Sequence, residues 1–100
     1  MLSANSVKKL QEYLSNKPIN KAWIFGSYAR GEQTPDSDID ILVDFDTTNQ
    51  LNLFSIAEII LGLEELFGKK VDMVDHNRVY PEIAQFIEKD KILIYERNRS

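Results

Sequence analysis

The sequence predicts an α/β (α+β) fold, a mixed four-stranded sheet flanked by helices. Three observations carry this. First, residues 38–45 divide into two faces, with Ile39, Ile41, Val43 and Phe45 on one and Asp38, Asp40 and Asp44 on the other, Leu42 being the one apolar residue among them, the period of a strand with one packed face. Second, an apolar helical pattern from Leu53 to Phe67 separates that strand from Val71-Asp72-Met73-Val74-Asp75. Strand, long helix, strand is a unit whose two strands pair in parallel. Third, two more strand-like runs, Ile19 to Phe25 and Ile92 to Tyr95, lie outside that unit.

Each element has its own signals. Residues 5–15 read as an amphipathic helix capped by Asn5 or Ser6, with Val7, Leu10, Tyr13 and Leu14 at helical spacing. Asn16-Lys17-Pro18 ends it. In the first strand Trp23 and Phe25 share a face, and Ala22 and Ile24 share the other. Trp23 reads as sheet packing rather than a base-stacking platform. Gly26-Ser27 breaks the strand, a short helical turn follows to Gly31, and Glu32 to Ser37 forms a polar loop. Asp36 is a turn residue, and Asp44 and Asp46 read as strand-end and loop residues. Thr47 to Asn52 is a polar linker.

The long helix is expected to bury Leu53, Ile56, Ala57, Ile60, Leu63 and Phe67. Phe54, Ile59, Leu61 and Leu66 make it apolar on a second side. Gly62 in mid-helix points to a close contact, and Gly68 with Lys69-Lys70 suits the helix end. Pro81 fits the first turn of a helix over residues 81–89, with Ile83, Ala84, Phe86 and Ile87 as its apolar stripe. Glu96 to Ser100 reads as a frayed tail.

Composition narrows the possibilities. A chain of 100 residues, 43% hydrophobic and 28% charged, is one globular domain over 1–100. Twelve basic against sixteen acidic residues give a net charge of −4. That argues against a direct nucleic-acid substrate, which needs phosphate neutralisation. It fits a small nucleotide held through metal, or a basic protein partner. Without cysteine there are no disulfides, thiolate zinc sites or cysteine nucleophiles. No signal-peptide core and no membrane-length apolar run is present. The expected location is cytoplasmic.

The chemistry concentrates in residues 24–44. Asp38 and Asp40 point the same way, roughly 7 Å apart along the strand. Two carboxylates beside that much apolar surface are costly unless compensated, and a divalent cation such as Mg²⁺ compensates them. Asp44 lies ~13 Å beyond Asp40, outside the same centre. The parallel pairing would bring Asp72 towards Asp38 and Asp40, whereas Asp75 has the opposite parity. Gly26 lets backbone approach a ligand, and N–H groups at the start of the turn favour phosphate oxygens. The Ser27 hydroxyl can cap the turn or bond a phosphate. Arg30, one turn on, reaches a phosphate or forms an ion pair with Glu32 or Asp36. Tyr28 is a surface residue or faces a nucleotide. His76, the only histidine, reads as a loop residue. A phosphate cradle beside metal carboxylates implies metal-assisted phosphoryl or nucleotidyl transfer.

Gly26-Ser27, ten intervening residues, then Asp38-Ile39-Asp40 resembles the signature of the DNA polymerase beta-type nucleotidyltransferase superfamily. The fuller string through Ala29-Arg30-Gly31 and Ile41-Leu42-Val43-Asp44-Phe45 resembles its minimal branch, the MNT-domain proteins commonly encoded beside HEPN-domain toxins. The resemblance runs from about Leu10 to Tyr95. It implies a nucleotidyltransferase fold, with Asp72 as the third carboxylate beside Asp38 and Asp40, and two Mg²⁺ ions. It implies ATP as substrate, with Gly26, Ser27 and Arg30 holding the nucleotide. Proteins of this branch are antitoxins that neutralise HEPN ribonuclease toxins, several by transferring AMP onto a toxin tyrosine. The expected partner is therefore a HEPN toxin, in a hetero-oligomer. Two other readings are a non-catalytic antitoxin that blocks its toxin by binding, and a small-molecule nucleotidyltransferase subunit.

Overall fold

The chain follows the predicted order, with each strand delivered by a turn the sequence marks. The computed structural model describes residues 2–48 and 51–97. Helix α1 spans Ala4–Leu14, strand β1 Ile19–Phe25, helix α2 Ser27–Arg30 and strand β2 Ile39–Phe45. Helix α3 spans Leu53–Phe67, strand β3 Val71–Asp75, helix α4 Pro81–Asp90 and strand β4 Ile92–Glu96. A 3-10 turn, His76–Arg78, joins β3 to α4. Among the described residues the strands form one sheet in the order β3-β2-β1-β4. The β2–β3 pair is parallel, and β1 runs antiparallel to β2 and β4.

The register divides the sheet into two faces. Ala22 pairs with Val43 and Ile24 with Ile41, while Ile39 pairs with Val71. This face packs beneath α1 and α3 and holds the core, with Leu10, Leu14, Ile59 and Leu63 closing over it. On the other face Phe25 pairs with Asp40, Trp23 with Leu42, and Asp40 with Asp72. Ile87 of α4 is buried on this side and shares a small cavity with Leu42, Val79 and Ala84. Trp23 packs between groups as expected. The His76 ring stacks on it at 5.1 Å, and Lys91 Nζ lies 4.8 Å from its centroid.

Several expectations are corrected in detail. The cap of α1 is Ser3, whose hydroxyl accepts from the Ser6 N–H, so the helix starts earlier than the Asn5 or Ser6 cap implied. Strand β2 starts at Ile39, one residue after Asp38. Helix α3 keeps Ile56, Ile60, Leu63 and Phe67 of the expected face at least partly buried, but Leu53 and Ala57 fall outside it and Ile59 from the second side joins it. Ile59 and Leu63 are its buried residues, with Ile56 and Phe67 partly buried beside them, while Leu53, Phe54, Ala57 and Leu61 are exposed. A helix apolar on several sides leaves its inward face to the sheet to choose. In α4, Ile83 and Phe86 point outward, leaving Ala84 and Ile87 as the packed pair. Part of the supposed tail is ordered: Glu96 belongs to β4. The Arg97 N–H donates to the Asn20 carbonyl and its guanidinium grips Asp46 at 2.9 Å and the Lys17 carbonyl. Asp46 lies in the loop after β2 as expected, and these bonds leave it buried. Hydrogen bonds from the Thr48 hydroxyl and N–H, then the Arg97 charge, hold its carboxyl below the usual range. Residues 98–100, and 49–50 of the linker, lie outside the described residues.

Gly62 does permit close packing. A Cβ there would lie 2.0 Å from the Tyr13 hydroxyl and 2.8 Å from Cζ. That hydroxyl donates to the Ile59 carbonyl at 3.0 Å, tying α1 to α3. Burial, and Glu58 after it, raise the Tyr13 pKa, so it remains a donor. Gly62→Ala should therefore destabilise the protein by about 1–3 kcal/mol, although helix propensity alone favours alanine. Urea unfolding measures this. Adding Tyr13→Leu should bring the double variant's loss below the sum of the single ones.

Candidate active site

The candidate site sits where β1 ends and β2 begins. Gly26 leaves β1 with φ 72° and ψ −151° and caps α2 through its carbonyl, which accepts from the N–H groups of Ala29 and Arg30. A Cβ at this glycine would lie 2.3 Å from Asp40 Oδ2 and 3.2 Å from its Cγ. The turn is thus closed directly onto the Asp40 carboxylate, and only a residue without a side chain fits. The Ser27 side chain does not cap the turn; Gly26 is the cap, with no side-chain bond. Tyr28 is neither surface nor nucleotide-facing. It is buried among Ile24, Ile39 and the rest of the core, anchoring α2. Ser27 and Arg30, at i and i+3, share a face of the turn.

The three carboxylates are brought together by different parts of the chain. Asp38 ends the loop before β2, and that loop is pinned both within itself and from outside. Thr34 N–H donates to Ser37 Oγ at 2.8 Å, and Lys69 Nζ donates to the Pro35 carbonyl at 2.7 Å. The Ile39 N–H donates to the Lys70 carbonyl at 2.9 Å. The Val71 N–H donates to Glu64 Oε2 at 3.0 Å, which fixes the start of β3. The parallel register then sets Asp72 directly opposite Asp40. Asp40 is half-buried and Asp72 exposed.

These neighbours change the chemistry of Asp40. Burial first, then the charges of Asp72 and Asp38, push its pKa up, with a hydrogen bond between Asp40 and Asp72 adding to the rise. The Arg30 charge acts the other way. Clustered carboxylates of this kind are hard oxygen donors that share a site only at a cost in repulsion. Their chemistry fits magnesium, which takes carboxylate oxygens alongside water and phosphate oxygens. Among the described residues no three-carboxylate group is already drawn into a metal cage. The fit therefore rests on the donor set, not on preformed coordination.

Arg30 is held by two acidic groups. Its Nε lies 3.2 Å from Glu32 and its Nη1 2.7 Å from Asp90 at the end of α4. The Glu32 pair was expected; Asp90 takes the place proposed for Asp36, which sits exposed in the Pro35-Asp36 turn. Asp44 stays outside the cluster, paired in register with Lys21 towards the other end of β2. Asp75 caps the 3-10 turn through the Asn77 N–H and pairs with Arg78. His76 stacks on Trp23. A groove of about 690 Å³ near Phe45, Ile56 and Met73 shares no residue with the carboxylate cluster. Lys69 read only as a helix-end charge and Asp90 carried no local signal in the sequence, yet Lys69 bonds the Pro35 carbonyl and Asp90 holds Arg30.

Known proteins are similar to this chain in sequence and fold. Residues 8–100 match the family described as polymerase beta, nucleotidyltransferase. A Methanocaldococcus jannaschii protein described as a candidate protein adenylyltransferase is 39% identical over 90 residues, 88% of this chain and 90% of its own. The protein adenylyltransferase MntA of Thermococcus cleftensis is 37% identical over 87 residues, 87% of this chain and 83% of its own. A crystal structure of a toxin–antitoxin with AMP-PNP superposes with a TM-score of 0.73 at 25% identity, over 97% of this chain and 76% of that one. With the sheet, the Gly26-Ser27 turn and the match over residues 8–100 in agreement, the chain belongs to the minimal, MntA-like branch of the polymerase beta nucleotidyltransferase family and is a nucleotidyltransferase.

Proposed function

We propose that this nucleotidyltransferase transfers AMP from ATP to a tyrosine hydroxyl of a partner HEPN ribonuclease toxin, in a magnesium-dependent reaction, and so acts as an antitoxin. The observation that carries the chemistry is the Asp40–Asp72 pair set in register beneath Gly26. The protein acceptor is supported by the name of the Thermococcus relative and by the toxin–antitoxin structure.

In this reading Asp38, Asp40 and Asp72 hold the magnesium ions. Held by these carboxylates, magnesium would supply positive charge to offset that of the triphosphate and of the transfer step. The Gly26-Ser27 turn binds the β- and γ-phosphates through its N–H groups, and Arg30 reaches the phosphates on the face it shares with Ser27. The tyrosine oxygen attacks the α-phosphorus, the bond to the bridging α–β oxygen breaks, and pyrophosphate leaves. Asp72, the exposed member of the cluster, accepts the tyrosine proton. Asp40, half-buried under the turn, holds the centre in place.

The test is incubation of the purified chain with labelled ATP, Mg²⁺ and its co-expressed HEPN partner, read by intact mass. The expected result is a partner heavier by one or more AMP units, with no adduct from the Asp38→Asn/Asp40→Asn variant. Ribonuclease inhibition without an adduct, equal for wild type and variant, would make the protein a steric antitoxin. An adduct on neither partner nor chain, with no inhibition, would redirect the search to small-molecule acceptors.

A further inference from the structure

We infer that Asp90, at the far end of α4, is a positioning residue that sets the Arg30 guanidinium for the nucleotide's phosphates; this rests on the nucleotidyl-transfer reading above. Arg30 closes the short turn that begins at Ser27, and the two residues lie on one face of it. Tyr28, between them, points into the core, so the turn cannot roll to present a different face. A long side chain leaving this turn would still sample many rotamers. Here it is held at two points, Nη1 to Asp90 at 2.7 Å and Nε to Glu32 at 3.2 Å. A guanidinium fixed by a fork of two carboxylates has a set plane and direction, which a lone arginine lacks.

Asp90 is an unusual residue for its place. It is the last residue of α4, where the helix carbonyls disfavour a negative charge. Its side chain is only 23% exposed, against 42% for Arg30. A half-covered carboxylate at a helix C-terminus is retained there by its cation, and that cation is the one beside the phosphate turn. Asp90 therefore links the helix that covers the lower part of this face to the turn that closes its upper end.

The test is ATP affinity of the full chain in Mg²⁺, by isothermal titration calorimetry, with a thermal melt of every variant. Asp90→Asn should weaken ATP by about tenfold, the scale of one charged hydrogen bond. Asp90→Glu, which keeps the charge, should recover most of that loss. Arg30→Ala should weaken ATP at least as much, and Arg30→Ala/Asp90→Asn should be no weaker than Arg30→Ala alone. Unchanged ATP affinity in Asp90→Asn, with or without a lower melting temperature, would reduce the pair to a packing link and overturn the inference. Tighter binding would also overturn it, since Asp90 would then compete with the phosphates. A full additional loss in the double variant would show that Asp90 acts without Arg30. A wild-type chain that binds no ATP would overturn this inference and the nucleotidyl-transfer reading together. Binding by wild type with no effect of Asp90→Asn would overturn this inference alone.

Discussion

Asp40→Asn should abolish nucleotidyl transfer, by about a thousandfold or more, while raising the melting temperature of the protein alone. The loss follows from removing a charged oxygen at the centre of the donor set, where several kcal/mol of transition-state stabilisation is at stake. The gain follows from the same environment. Burial and the Asp72 and Asp38 charges raise the Asp40 pKa in the folded chain, so the ionised carboxylate is a cost to the fold at neutral pH. Folded Asp40 holds its proton more firmly than unfolded Asp40. Its favourable contribution is fully present below the ordinary carboxylate pKa and is lost as pH rises through the raised one. An amide of the same shape escapes that penalty. An upward shift of about 2–4 °C is expected, modest because the side chain is partly hydrated. Asp46 has the opposite linkage. Its pKa is lowered, so its contribution is present above the ordinary range and fades as pH falls through the lowered value. The two windows lie on either side of the ordinary carboxylate pKa, and melts at a series of pH values separate them. A melting temperature that falls in Asp40→Asn at neutral pH would contradict the picture of a strained carboxylate.

Gly26→Ala is the second large effect. Alanine at φ 72° and ψ −151° is strained whatever surrounds it. In addition its Cβ would stand 2.3 Å from Asp40 Oδ2, so either the turn or the carboxylate must move. A displacement near 1 Å in a positioned group can cost about a hundredfold in rate, and transfer should fall by at least that much. Stability should fall by roughly 1–3 kcal/mol from the backbone conformation. Gly31→Ala is the control. Gly31 has the same φ of 72°, but nothing lies within 4 Å of a Cβ built there. With ψ 22° it lies in the left-handed region that other residues enter at about 1–2 kcal/mol, so it should lose less stability than Gly26→Ala and keep transfer far closer to wild type, measured below its melting temperature. Equal losses of transfer in both variants would mean that the Gly26–Asp40 contact has no special role.

Most of the local architecture was legible in the sequence. The period-two placing of Ile39, Ile41, Val43 and Phe45 gave the main core face, because a strand's period is fixed by its backbone, while Leu42 on the aspartate face is buried as well. The strand–helix–strand order gave the parallel pair, and with it the approach of Asp72 to Asp40, because antiparallel pairing cannot follow such a crossover without reversing direction. The type and spacing of Gly26, Ser27, Asp38 and Asp40 marked the candidate site. Tertiary structure decided which face of an ambiguous element turns inward and which distant groups meet. Helix α3 is apolar on more than one side, so its own period could not choose Ile59 over Ala57; contact with the sheet did. Tyr28 could have faced out from a four-residue turn, but the space beneath the turn is core. Arg30 finds Asp90 across 60 residues, and Arg97 finds Asp46 across 51. Periodicity records how a residue faces its own element. It carries no information about which charge another element will bring to that place, and at this site that second kind of information determines where Arg30 is held.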